Sequence, residues 1–325
     1  MSGRQLGPKL TEAGAQFRLW APAAKRVDVL LDKPHALKRG DDGWFTADIA
    51  GVKAGARYTF RIDDEVDVPD PASEFQPDDV FGPSEVIDHD AYRWQTPGWR
   101  GRPWHETVFL ELHVGTFTPS GTYRGVIDKL DYIKDLGATA IWLTPVVDNQ
   151  DKGYHGYWAI DFYKVDEHLG DVAKLKELVQ KAHDKGIRVI LDIVVNHTGP
   201  AHPWALDPAY QSWFHQRGNI SDWGNQEDVE TGRLAGLPDF AQENPEVEEY
   251  LIEMAKWWIS ETDLDGFRLD TVKHVPKWFW EKFAKEMKAV KPDFFMIGEV
   301  WSNDPGYIAG YQKTGIDYMV DYPMY

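Results

Sequence analysis

In the stretch DGFRLDTVKH (265–274), Arg268 and Asp270 stand two positions apart within what reads as a buried strand. Side chains at i and i+2 of a strand share a face, so a guanidinium and a carboxylate enter one pocket. An adjacent cation lowers a carboxyl pKa, which predicts Asp270 ionised at neutral pH and oriented as a nucleophile for an anomeric carbon. Glu299 follows 29 residues later, about one strand–helix unit further on. The neighbouring anion and partial burial are expected to raise its pKa, so that it can protonate a departing oxygen. Carboxyls on adjacent strands can stand about 5–5.5 Å apart, the spacing expected for retention through a covalent glycosyl-enzyme. The pair points to glycoside hydrolysis or transglycosylation.

Such a pair needs a rigid sheet behind it. From residue 107 the sequence alternates strand and helix signals, the pattern of a parallel sheet or barrel. VFLELHVGTF (108–117) reads as a strand. RGVIDKLDYIKDLG carries a helical stripe of Val126, Leu130, Ile133 and Leu136, closed by Gly137. TAIWLTPV, RVILDIVVNH, LDGFRLD, FFMIGEV and YMVDYP supply the further strands. Asp171 is expected to cap one intervening helix, with Gly186 as its stop. Asn244 and Pro245 open another, which buries Val247, Leu251, Met254 and Trp258. Asp192 and Asp270 are 78 residues apart, too many for one unit, so residues 198–243 form an excursion after strand three. Asp192, His197, Arg268, Asp270 and Glu299 all fall at or near strand C-terminal ends, where a barrel builds its site. Singly, a strand-end Asp can cap a loop, a His can satisfy a core hydrogen bond, and an Arg can neutralise a buried acid. The set at successive strand ends points to chemistry.

The first hundred residues differ. AQFRLWAP, RVDVLL, GWFTADI and ARYTFRI are short alternating runs separated by Gly, Pro and Asp turns, the pattern of a β-sandwich. The expected organisation is therefore α/β: a sandwich over residues 1–90, a Pro- and Trp-rich connector over 91–106, and a barrel over 107–325. The 325 residues contain no cysteine, which excludes disulfides and thiolate chemistry and leaves oxygen or imidazole for any metal. A net charge of −18 argues against nucleic acid and anionic membranes as partners. The N-terminal residues lack the apolar run of a signal peptide, and no segment is long enough to span a membrane. The expected location is cytoplasmic. Fifteen tryptophans offer flat faces suited to sugar rings, although many will be core.

DIVVNH (192–197), LPDF (237–240), GFRLDTVKH (266–274) and GEV (298–300), in this order, resemble the conserved blocks of the α-amylase superfamily of glycoside hydrolases. The resemblance implies Asp270 as nucleophile and Glu299 as acid/base. It implies that Arg268 and His197 contact the reacting sugar or the nucleophile, that Asp192 is mainly structural and pairs with Arg268, and that Lys273 and His274 line the aglycone side. YHGYWAIDFYKVDEHLGD (154–171) adds Tyr157 as a stacking platform, with His155 and Asp161 nearby. Asn196, Asp239 and the His274 carbonyl match the family's calcium ligands, oxygen donors as calcium prefers. The alternative is that Asn196 and Asp239 merely hydrogen-bond the loop. Up to about residue 146 the sequence looks closest to maltooligosyltrehalose trehalohydrolases, and from YHGYW onward more like an α-amylase, neopullulanase or cyclomaltodextrinase.

The family's third catalytic carboxylate follows a His near strand seven, whereas DYPMY resembles strand six. The expectation is thus six of eight barrel strands, with a second chain or C-terminal segment needed to complete the barrel for activity. The functions implied are hydrolysis of α-1,4-glucans, trehalose release from maltooligosyltrehalose, or non-catalytic α-glucan binding.

Overall fold

Alternating apolar residues in the N-terminal part pair into two antiparallel sheets. A computed structural model describes residues 7–78, 81–88, 91–95, 99, 103–150 and 155–324. The chain divides into two units, Met1–Arg93 and Trp94–Tyr325. Of the expected connector, residues 96–98 and 100–102 lie outside the described residues. In the first unit, Gly14–Trp20 pairs with Lys9–Thr11 and with Trp44–Ala50, which also pairs with Lys38–Arg39. The other sheet joins Pro34–Ala36, Val27–Leu30, Arg57–Ile62 and Val66–Val68, with Ser84–Glu85 against Arg57–Ile62. Phe17, Val27, Val29, Phe45, Tyr58 and Phe60 form the core of this unit.

The second unit is built on a six-stranded parallel sheet. Its strands, in spatial and sequence order, are β1 (Phe109–Leu112), β2 (Ala140–Leu143), β3 (Arg188–Ile193), β4 (Gly266–Leu269), β5 (Phe295–Gly298) and β6 (Tyr318–Met319). Sequential order with helical crossovers is the signature of a (β/α) barrel. β1 and β6 do not pair, so the barrel is incomplete among the described residues. Every residue of β3 and β4 is buried, as in a sheet covered on both faces.

The crossover helices follow the periodicity. They are α1 (Tyr123–Asp128), α2 (Leu130–Asp135), α3 (Val172–Asp184), α5 (Pro245–Thr262) and α6 (Lys277–Val290). Within the excursion lies α4 (Gln226–Thr231), and after β5 comes α7 (Pro305–Gln312). The Asp171 carboxylate accepts from Lys174 N, and Asn244 accepts from Glu246 N, so both expected caps form. Val247, Leu251, Met254 and Trp258 of α5 are fully buried. Each such side chain contributes about 1.5–3 kcal/mol.

Three local expectations are corrected. The strand expected over 108–117 stops at Leu112, and Val114–Phe117 turns helical. The single helix expected from residue 124 is two, broken at Lys129 (φ −103°, ψ 2°), and Leu136 is exposed rather than part of the stripe. The strand containing Asp192 ends at Ile193, so Asn196 and His197 lie in the loop beyond it. There a bridge joins His197 to Asp239, bringing the two ends of the excursion together.

Candidate active site

Parallel register places the charged residues of three strands side by side. Asp192 of β3 is the direct neighbour of Arg268 of β4, and Arg268 is the neighbour of Ile297 of β5. Glu299 follows the end of β5, with its N–H on the Leu269 carbonyl. One guanidinium then serves three carboxyls. Arg268 Nη1 donates to both oxygens of Asp192 at 3.1 Å and to Asp270 Oδ1 at 2.5 Å. Its Nη2 stands 3.0 Å from Glu299 Oε1. Arg268 also lies over the Trp142 ring, 5.2 Å from its centroid.

The charge distribution reverses the sequence expectation. Burial pushes Asp270 above the usual carboxylate range, the nearby Asp192 charge adds to this, and Arg268 does not overcome the two. Burial also pushes Glu299 up, but Arg268, the Thr271 N–H and the Tyr322 hydroxyl together take it below its ordinary value. The Thr271 N–H donates to Glu299 Oε2 at 3.0 Å, and the Tyr322 hydroxyl donates to Oε1 at 2.8 Å. Asp270 Oδ2, by contrast, is buried with no hydrogen-bond partner among the described residues. Asp270 is thus not simply held ionised by its neighbour. The cation is divided among three carboxyls, and Glu299 collects two further donors where Asp270 has none.

A cleft of about 580 Å³ opens over this cluster. Tyr157, His197, Arg268, Asp270, Lys273, His274 and Glu299 line it. Asp192 sits beneath, its side chain fully buried, accepting from Tyr157 Oη at 2.9 Å and Trp142 Nε1 at 3.3 Å. His197 Nε2 lies 3.2 Å from the Tyr157 carbonyl, and burial lowers its pKa to about 4, so the ring is neutral. Burial likewise takes His274 to about 4, and its Nδ1 donates to the Val229 carbonyl. His155 is not among the lining residues. Its Nδ1 accepts from Tyr157 N at 3.1 Å, shaping the platform from behind. Asp161 turns away and caps Tyr163 N at 2.9 Å. Asn196 Oδ1 and Asp239 Oδ1 are buried with no hydrogen-bond donor among the described residues. Asp239 Oδ2 accepts from His215 Nδ1 at 2.7 Å.

Four functional neighbours were not singled out from sequence. Trp142 and Tyr322 steady the acids. Trp223 and Trp301, 57% and 69% exposed, line the cleft near Lys273. Lys273 Nζ donates to the Trp301 carbonyl at 2.8 Å and lies 5.2 Å from the Trp223 ring centroid. The Trp301 ring stacks parallel to Tyr322. Trp301 had a signal, two residues past Glu299, whereas Trp223 lies in an aperiodic excursion that gave none.

Comparisons with known proteins agree with this geometry. Residues 83–325 match the α-amylase catalytic domain, and residues 5–77 match carbohydrate-binding module 48, the isoamylase N-terminal domain. The malto-oligosyltrehalose trehalohydrolase of Saccharolobus solfataricus is 36% identical over 95% of this chain, which covers 53% of that protein. The β/α-amylase of Paenibacillus polymyxa is 46% identical over 63% of the chain, which covers 17% of it. The α-amylase of Geobacillus thermoleovorans, solved with acarbose, is 54% identical over 69% of this chain and 53% of its own, with a TM-score of 0.67. A putative α-amylase from Salmonella typhimurium covers 92% of this chain and 50% of its own, at 33% identity and a TM-score of 0.72. The chain thus spans about half, or less, of the length of these relatives. It belongs to the α-amylase family, with a module 48 sandwich ahead of its catalytic-domain strands.

Proposed function

We propose that this chain carries the reacting pair of a retaining glycoside hydrolase acting on α-1,4-glucans such as starch and maltooligosaccharides. The observation that carries the reading is the single guanidinium of Arg268 shared by Asp192, Asp270 and Glu299 at the ends of three neighbouring strands. Asp270 would attack the anomeric carbon, and Glu299 would protonate the glycosidic oxygen and later deprotonate water. For that chemistry Glu299 carries the proton and Asp270 is ionised when substrate binds. Arg268 Nη1, itself held by Asp192, keeps Asp270 in place and favours its charged form. Tyr157 would offer its ring face to the reacting sugar, with His197 beside it, and Lys273 and His274 would face the aglycone. The acarbose complex of the 54% identical amylase supports a glucan-sized ligand here.

Calcium is proposed where Asn196 Oδ1 and Asp239 Oδ1 are buried without donors. No cluster of three His, Asp or Glu side chains suited to a metal occurs among the described residues, so main-chain oxygens, including that of His274, would complete the shell. The ion would supply a cross-link between the loop after β3 and the excursion. No described helix is long and apolar enough to cross a membrane.

The unpaired edges of β1 and β6, with the chain's partial span of its relatives, support a further segment or second chain that completes the barrel. Turnover of starch by this chain alone is expected to be at least about a hundredfold below that of the completed enzyme, since displaced catalytic geometry costs on that order. Comparable rates would remove this part of the reading. Product analysis of the completed enzyme tests the substrate. Maltose and glucose from starch support the proposal, while free trehalose from maltooligosyltrehalose supports the trehalohydrolase alternative, which the 36% identity over 95% of the chain favours. Asp270→Asn is expected to cut turnover by roughly 10⁴ while maltooligosaccharide binding persists. Unchanged behaviour in both assays would leave a glucan-binding role.

A further inference from the structure

The excursion is tied to the cleft floor at one amide. Gln226, the first residue of α4, sends its side chain between three segments far apart in sequence. Its Nε2 lies 3.1 Å from the Lys273 carbonyl, 3.2 Å from Tyr311 Oη and 2.6 Å from Glu230 Oε1. Its Oε1 accepts from Tyr307 Oη at 2.7 Å, and the two tyrosine hydroxyls are 3.1 Å apart. Two N–H groups facing three acceptors, with the carbonyl also engaged, leave the amide no spare capacity. It therefore fixes α4, α7 and the main chain of Lys273 in one arrangement.

The same short helix is anchored toward the cleft. Asp228 Oδ2 accepts from Ser221 N, Ser221 Oγ and Asp222 N, gripping the turn just before Trp223. The Val229 carbonyl accepts from His274. Trp223, Lys273 and the Trp301 carbonyl thus form a chain of contacts along the aglycone side, and Gln226 ties its middle member, through the Lys273 carbonyl, to α7. No contact from Gln226 reaches Asp270, Glu299 or Tyr157.

We infer that Gln226 is a positioning residue for the aglycone side of the cleft, setting the placement of Lys273 and Trp223 against a second sugar ring without acting on the ring that reacts. This rests on the reading of Asp270 and Glu299 as the reacting pair. Gln226 and Tyr307 are half-buried, so truncating either should loosen one subsite and leave the core packing of Tyr311 in place.

Equilibrium binding to the completed enzyme by tryptophan fluorescence tests it with two probes. 1-Deoxynojirimycin occupies only the reacting-sugar position, whereas acarbose is long enough to cross the catalytic pair. Gln226→Ala is expected to weaken acarbose about tenfold, the cost of one lost hydrogen-bond cluster, while 1-deoxynojirimycin stays within about twofold. Tyr307→Phe removes a single hydroxyl from the far side of the network. It is expected to shift acarbose in the same direction by about threefold, so the inference does not depend on one variant folding. Equal losses for both probes, or no loss of acarbose in either variant, overturn the positioning role while the reacting pair stands. Completed wild-type enzyme that binds neither probe overturns the reacting-pair reading and the inference with it.

Discussion

The least expected residue beside the acids is Tyr322. Its hydroxyl donates to Glu299 Oε1, beside the Thr271 N–H on Oε2, and both favour the charged form of that acid. A general acid must hold its proton at working pH, so this donor works against the acid role and favours the later base role. Tyr322→Phe removes a hydrogen bond to the carboxylate and should raise the Glu299 pKa. The protonated form then survives to higher pH, and the basic limb of the kcat/KM profile of the completed enzyme is expected to move upward. A basic limb that stays put or moves downward would show that Glu299 is not the acid that limits it. Thr271 belongs to the same device: it adopts φ +49°, a left-handed conformation that turns its N–H onto Glu299.

At the scale of elements, the site depends on strand ends held level by their helices. α5 leads directly into β4 and carries no catalytic group, yet it fixes where Arg268 emerges. Its first turn is secured by the Asn244 side chain on Glu246 N, with Pro245 at the first helical position. Asn244→Ala should lower stability by about 1 kcal/mol, read from denaturant midpoints at constant m-value. A loss near zero would mean that the Asn244 amide, which also donates to the Ser212 carbonyl, contributes little on either count. The aperiodic excursion is ordered by a different means. Trp204, Tyr210, Trp213 and Tyr250 pack ring against ring, with centroids 4.9–5.8 Å apart, tying it to α5. Such contacts have no short-range repeat, which is why the segment reads as featureless along the chain.

Across the whole second unit, the bridge between His197 and Asp239 marks where the excursion leaves and rejoins the sheet. A cation at Asn196 and Asp239 would close that loop and stabilise the folded state by mass action. Chelation is expected to lower the melting temperature of this chain by about 5 °C, with recovery on adding calcium, since occupancy at a hundredfold excess over Kd is worth about 2.7 kcal/mol. An unchanged melting temperature would leave Asn196 and Asp239 as loop hydrogen-bonders held by His215. The open edges of β1 and β6 act at this scale too, because a barrel distributes strain and register around its full circumference.

The sequence by itself determined what depends on neighbours along the chain. Alternation gave the sandwich, helical stripes and caps gave α3 and α5, and the i, i+2 rule put Arg268 and Asp270 on one face. The order of the conserved blocks identified the family before any coordinate. Only the tertiary structure brought together the groups that set the proton balance between Asp270 and Glu299, because Arg268, Asp192, Thr271 and Tyr322 are spread over 130 residues. It also decided that Trp142, Trp223 and Trp301 meet the acids or the cleft, and that Gln226 joins three segments. Burial and charge act through space, and in a sheet assembled from distant strands the distance along the chain carries no measure of them.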